Sequence, residues 1–204
     1  MKKPLLVVLV VVLLDQLLKF WIKLNMTLGE EINVFGNWFK LHFIENNGMA
    51  FGIEFFGEWG KLGLSIFRIL AVILLTYYLY RLSRRKVKLM PRICIALFIA
   101  GALGNILDSA FYGLIFSEST TKNIATLFPE GGGYAPFLFG KVVDMFYFPI
   151  IDIERANAAW LPNFFFGSDG HFIFFRPIFN VADAAITTSV FWLALFERKF
   201  LRNM

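Results

Sequence analysis

Imidazole and thiol are almost missing from this chain: its 204 residues include two histidines, His42 and His171, and one cysteine, Cys94. Zinc sites draw chiefly on histidine nitrogen and cysteine sulfur, so metal catalysis is disfavoured and no cofactor is expected. A single cysteine also excludes a disulfide or a thiolate cluster within one chain, and Cys94, set in an apolar run, reads as inert. Charge is sparse at 17% of residues. No internal repeat, heptad or low-complexity tract breaks the chain, which reads as one membrane domain over residues 1–204 without a linker.

What is abundant is apolar surface. Hydrophobic residues make up 58% and aromatics 18% of the chain, with a mean hydropathy of +0.64, more than a water-facing surface tolerates. The apolar residues gather in four runs, about 4–24, 62–82, 92–116 and 177–196. Each approaches or exceeds the roughly 20 helical residues that cross a hydrocarbon layer about 30 Å thick. The first run follows Lys2 and Lys3 and imitates a secretory signal, but no small-x-small cleavage site follows it, so a retained first helix is expected.

The net charge of +5 would suggest nucleic acid in a soluble protein, yet 11 of the 20 basic residues lie in short stretches beside these runs. Lys2 and Lys3 precede the first; Arg81, Arg84, Arg85, Lys86, Lys88 and Arg92 join the second and third; Arg198, Lys199 and Arg202 follow the fourth. By the positive-inside rule both termini and the middle connection are expected in the cytoplasm, with no nucleic-acid partner. Residues 25–61 and 117–176 then form two outer loops, too long and too aromatic to be plain connectors. Residues 37–44 alternate loosely, which predicts a short β-hairpin or sheet on the membrane surface with a turn at Asn46, Asn47 and Gly48. The aromatic stretch 160–179 suits the lipid headgroup layer. The fold class is thus all-α integral membrane: four transmembrane helices with a small outer β-sheet and a long second outer loop.

Several polar residues sit where hydrocarbon penalises them by about 2.5 to 3.5 kcal/mol each, and so require a partner or a task. Asp15 and Lys19 are four apart on the first run and can neutralise one another on one helix face. On the third run Gly101 and Gly104 permit close helix approach, while Asn105 and Asp108 share a face, a pattern that favours interhelical hydrogen bonds over chemistry. Asp144 closes the run Val142-Val143-Asp144 at the membrane boundary, and Asn180 and Asp183 share a face near the outer end of the fourth run. Either aspartate alone reads as a satisfied polar contact; together they suggest a dyad. Two neighbouring carboxyls hold one shared proton, so one can take a proton from water while the other supports the oxyanion. A transporter would also keep Asp, Asn and Lys inside its helices, but gains nothing from an aspartate in an outer loop beside a structured platform. A scaffold leaves the intramembrane carboxylates idle.

Five segments in order, Asp15-x-x-x-Lys19, Asn46-Asn47-Gly48-Met49-Ala50-Phe51, Gly101-Ala102-Leu103-Gly104-Asn105-Ile106-Leu107-Asp108, Val142-Val143-Asp144 and Phe179-Asn180-Val181-Ala182-Asp183, resemble the lipoprotein signal peptidases, or signal peptidase II. The resemblance spans nearly the whole chain. It implies an aspartic endopeptidase of the bacterial inner membrane that cuts diacylglyceryl-modified prolipoproteins before the lipidated cysteine. It implies Asp144 and Asp183 as the catalytic pair on the periplasmic side, with Asp15, Lys19, Asn46, Gly48, Asn105, Asp108 and Asn180 supporting the pair or contacting substrate. The partners it implies are prolipoprotein substrates, membrane lipid and inhibitors of the globomycin type, acting on a monomer. Ser109 stands where the family usually has arginine, and an insertion over about 114–139, expected to form a lid or platform, separates the third-run motif from Val142. A further long stretch, 147–176, precedes the fourth run.

Overall fold

The computed structural model describes residues 1–47, 57–157, 160–167, 169–198 and 200. Gly48, Met49, Ala50 and Phe51 of the second motif lie outside the described residues, and so does the part of the expected turn that falls on Gly48. Among the described residues three helices are long and apolar enough to cross a membrane: Lys2–Asn25 (α1), Trp59–Arg84 within α2 (Gly57–Arg84), and a continuous helical stretch Leu89–Ile115. The last comprises α3 (Leu89–Leu107), a π-helical turn at Asp108–Tyr112 and the short α4 (Gly113–Ile115). A fourth apolar helix, α5 (Val181–Phe196), has 16 residues. It starts four residues later than the expected run because Ile178 and Phe179 are drawn into a sheet and Asn180 caps the helix.

The bundle is built inside out. On α1, Asp15, Lys19 and Lys23 recur every four residues, one face of a helix, and all three are buried, whereas Leu13, Leu14 and Leu17 on the other side are more than half exposed. An exposed leucine face is costly in water and costless in lipid, while the polar row finds its partners on neighbouring helices. Helix α3 is the central element, packed against α1, α2 and α5. Its close approach to α5 depends on Gly101, where a Cβ would lie 2.2 Å from the Ala182 carbonyl oxygen. Gly104 makes room in the same way for the Asp15 carboxylate. Ser189 of α5 donates to the carbonyl of Cys94, which is buried in this packing.

One end of the bundle carries a four-stranded antiparallel sheet in the order β1-β2-β3-β6, from β1 (Glu31–Phe35), β2 (Phe39–Asn46), β3 (Val142–Tyr147) and β6 (Ile178–Phe179). The expected hairpin is present, but its turn lies at Gly36 to Trp38, with Gly36 at a φ of +50°. Asn46 does not turn; it pairs with Val142 at the end of β2. A second, two-stranded sheet of β4 (Ile151–Glu154) and β5 (His171–Phe174) was not anticipated. Its signal was available in the alternation of Ile151, Asp152, Ile153 and Glu154.

Residues 116–141 are folded back onto the end of the bundle. Thr120 accepts from the Leu28 amide, Phe116 from the Tyr134 amide, Gly113 from the Ala135 amide and Ser109 from the Gly140 amide. A core of Ile22, Met26, Phe43, Tyr112, Phe116, Ala125, Val143 and Met145 joins this stretch to α1 and to one face of the sheet.

Candidate active site

The strand period of two decides which side chains of β3 meet the core and which meet the site. Val143 and Met145 enter the apolar core, so Asp144 points to the opposite face. Ile44 sits across from Asp144 in the ladder, and Asn46, two residues on, shares its face and donates its side-chain amide to Asp144 Oδ2. Phe39, Phe146, Phe148 and Phe179 form an aromatic platform on the sheet. The Phe39 and Phe148 rings are stacked at 4.6 Å, Phe148 meets Phe179 at 5.8 Å, and Phe146 meets Phe179 at 5.9 Å.

Asp183 reaches the same place from α5. Asn180 is the N-cap, its Oδ1 accepting from the Asp183 amide at 2.9 Å, an ordinary way to satisfy a first-turn N–H. Asp183 thereby sits in the first turn, where the helix dipole favours an anion. The other end of the Asn180 amide donates to Asp144 Oδ1 at 2.6 Å and lies 3.1 Å from the Val143 carbonyl. Asn105 of α3 donates to Asp183 Oδ1 at 2.8 Å and accepts at Oδ1 from Asn180 at 3.2 Å. Two asparagines therefore bridge the two aspartates.

Charges deeper in the bundle orient the bridge. Lys19 Nζ lies 2.8 Å from Asp15 Oδ2 and 2.7 Å from Asp108 Oδ2, all three side chains buried, and donates to Asn105 Oδ1 at 3.1 Å. An ammonium can only donate, so the Asn105 oxygen must face Lys19 and its NH2 must face Asp183. Asp15 Oδ1 accepts from the Ala182 amide at 2.9 Å, which ties α1 to the start of α5. Asp108 Oδ2 is 3.3 Å from the Val143 amide and so ties α3 to β3.

Asp144 is 2% exposed. Its carboxyl is pushed up to about 8, first by burial and then by the negative charge of Asp183, against the opposing pull of Lys19 and of the Asn180 hydrogen bond. The group therefore binds a proton at a pH where an ordinary carboxyl is ionised. Among the described residues no cluster of three or more His, Cys, Asp or Glu could hold a metal ion.

Every described residue singled out by sequence joins this junction: Asp15, Lys19, Asn46, Asn105, Asp108, Asp144, Asn180 and Asp183. Sequence reasoning passed over two others. Gln16 donates to Asp108 Oδ1 at 2.9 Å and accepts from the Tyr112 hydroxyl at 3.2 Å. The charge of Arg68 on α2 lies within electrostatic reach of Asp183, Asp108 and Asp144. An arginine in the second apolar run and a glutamine in the first were the signals.

The fold is that of a multi-pass membrane protein with several apolar helices. A solved bacterial membrane enzyme superposes with a TM-score of 0.59 at 23% identity, over 98% of this chain and 90% of that one. The family model described as signal peptidase (SPase) II matches residues 7–198. The chain belongs to the signal peptidase II family, a family of proteases. Among its relatives, a protein of Porphyromonas gingivalis named lipoprotein signal peptidase is 48% identical over 91% of this chain and 78% of its own length. One of the same name from Amoebophilus asiaticus is 34% identical over 97% of this chain and 78% of its own length.

Proposed function

We propose that the chain is a membrane aspartic endopeptidase that removes the signal peptide from diacylglyceryl-modified prolipoproteins, cutting before the lipidated cysteine, with Asp144 and Asp183 activating water. The observation that carries this reading is the Asn105–Asn180 bridge, which holds two carboxyls from different elements at one junction where Asp144 retains a proton. The pair shares that proton. Its ionised form takes a proton from water as the oxygen attacks the peptide carbonyl; the protonated carboxyl stabilises the developing oxyanion and then returns a proton to the leaving amine. Asn46 and Asn180 fix Asp144 during these transfers, so little reorganisation is needed when charge develops. Lys19 offsets the charge of Asp15 and Asp108.

Placement follows from the substrate. Its cleavage site lies at the membrane surface between an apolar signal helix and a diacylglyceryl group. A site at the end of an apolar bundle spares the bond from extraction out of lipid, and the aromatic platform beside Asp144 offers apolar surface to the flanks. In this reading four helices span the inner membrane, α5 included, as one membrane domain with both termini in the cytoplasm and the sheet and site on the periplasmic side. Globomycin-type cyclic peptides inhibit by occupying the site, and the enzyme works as a monomer without a cofactor.

The test is gel-shift processing of a diacylated prolipoprotein by membranes carrying wild type, Asp144→Asn or Asp183→Asn at matched expression. The expectation is loss of roughly 10²–10⁴-fold in rate for each variant, the range for removing a positioned acid or base. Near-normal cleavage by either folded variant would falsify the two-aspartate mechanism.

A further inference from the structure

A second buried charge cluster lies on the core side of the sheet, separate from the bridge that orients the two aspartates. Because side chains alternate along β2, Asn46 faces Asp144 while Glu45 points the other way, toward α1 and residues 116–141. Lys23 Nζ meets Glu45 Oε1 at 2.5 Å and donates to Ser119 Oγ at 2.9 Å, and the Ser119 hydroxyl is 3.2 Å from the same carboxylate oxygen. The Lys23 and Glu45 side chains are 0% and 2% exposed, and Ser119 is equally buried. The ammonium also lies over the Phe116 and Tyr134 rings at 5.2 and 5.1 Å. Tyr134 in turn accepts from the Lys141 amide at 2.7 Å, and Lys141 leads directly into β3.

Burying a lysine–glutamate pair stabilises a protein no better than apolar side chains of the same volume would. What it supplies is direction, because the contact is strong in one geometry only. That geometry is imposed on Glu45, which is opposite Val143 in the ladder, one step from Asp144 in β3 and one step from Asn46 in β2.

We propose that Lys23, Glu45 and Ser119 are positioning residues that clamp β2 so that Asn46 keeps its amide on Asp144, making the folded stretch 116–141 part of the machinery that shapes the reaction. The inference rests on the assignment of Asp144 as catalytic. The cluster touches neither carboxyl of the pair and acts through Asn46 alone. Loosening it therefore costs reaction rate through misplacement, more than substrate binding.

The experiment compares full-length wild type, Glu45→Gln, Ser119→Ala, Ser119→Thr, Asn46→Ala and Glu45→Gln/Asn46→Ala in lipid vesicles, cleaving a diacylated prolipoprotein across a range of pH. Glu45→Gln is expected to lower kcat roughly tenfold with KM within about twofold, the scale of a sub-ångström misplacement. Ser119→Ala follows in the same direction and Ser119→Thr, which restores the hydroxyl, recovers the rate. Removing the Asn46 donor destabilises ionised Asp144, so the alkaline limb of the kcat profile moves to higher pH in Asn46→Ala, and in Glu45→Gln it moves the same way. The other charges facing Asp144, from Asp183, Lys19, Asp108 and Arg68, are the same in every variant.

The double variant is expected to be no slower than Asn46→Ala. Multiplying losses in the double variant, or a lowered melting temperature in Glu45→Gln and Ser119→Ala with kcat and the alkaline limb in place, would overturn the proposal. Asp144→Asn run alongside separates the two failures. If it still cleaves, the catalytic assignment falls and the inference with it; if it is inactive while Glu45→Gln and Ser119→Ala match wild type, the positioning role alone falls.

Discussion

The bundle junction and the two-stranded sheet both consist of paired charges, but they differ in what surrounds the pairs. Around Lys19, three charged side chains are buried among helices, with a backbone amide of α5 and another of β3 drawn into the same network. In and beside β4 and β5, His171 pairs with Asp152 at 2.7 Å and Arg176 with Asp169 at 3.0 Å, and all four side chains are at least partly exposed. Distances are alike; consequences are not. Water replaces a lost partner at the surface, whereas in the bundle nothing does, so removing one partner leaves a bare charge in low dielectric.

The largest effect is expected for Lys19→Met, which leaves Asp15 and Asp108 buried together without a cation. It should cost roughly 3–5 kcal/mol, seen as loss of folded protein in thermal unfolding and as loss of cleavage. Gly101→Val comes next, because a branched side chain cannot fit 2.2 Å from the Ala182 carbonyl and must push α5 away from α3. The expected penalty is roughly 1–3 kcal/mol, with a larger fall in cleavage than in stability, since Asn180 and Asp183 move with the start of α5.

A smaller effect of opposite sign is expected for Asp144→Asn. The folded state holds the Asp144 proton up to about pH 8, while the unfolded chain releases it near 3.8. The folded state thus binds more protons between those values, and ionisation costs stability increasingly as pH rises through that window. Replacing the carboxyl with an amide removes the cost. Asp144→Asn should therefore melt above wild type, clearly at pH 7 and by little at pH 4. A gain that is flat across pH, or a loss, would break the account of Asp144.

The smallest effect is expected at the two-stranded sheet. Arg176→Gln removes the partner of Asp169 and should leave both cleavage and melting temperature within error. A collapse as large as that of Lys19→Met would erase the distinction between the two regions.

Legibility in the sequence follows the same division. Asp15, Lys19, Asn105, Asp108, Asn180 and Asp183 were visible because each is a polar residue in or beside an apolar run, where it needs a reason to exist. Gln16 and Arg68 carry that signal too, but a single polar residue does not reveal which helix it faces. Lys23 and Glu45 were less visible still. One ends the first run and the other lies in a strand 22 residues on, and only the folding of β2 against α1 brings them together. The start of α5 was misplaced because hydropathy cannot distinguish Ile178 and Phe179 pairing in a sheet from the same residues in a helix.

By itself, the sequence determined that this chain folds in lipid, where its long helices run, and which polar side chains must be accounted for, because hydrocarbon tolerates neither exposed backbone nor an unpartnered charge. Tertiary structure decided the partners. Asp144 and Asp183 lie on a strand and a helix with no sequence relation, and their proximity depends on β3 pairing with β2, on α5 reaching α3 over Gly101, and on two asparagine amides oriented by Lys19. Such contacts depend on orientation and on distances of a few ångströms, which residue order along the chain does not encode until the chain has packed.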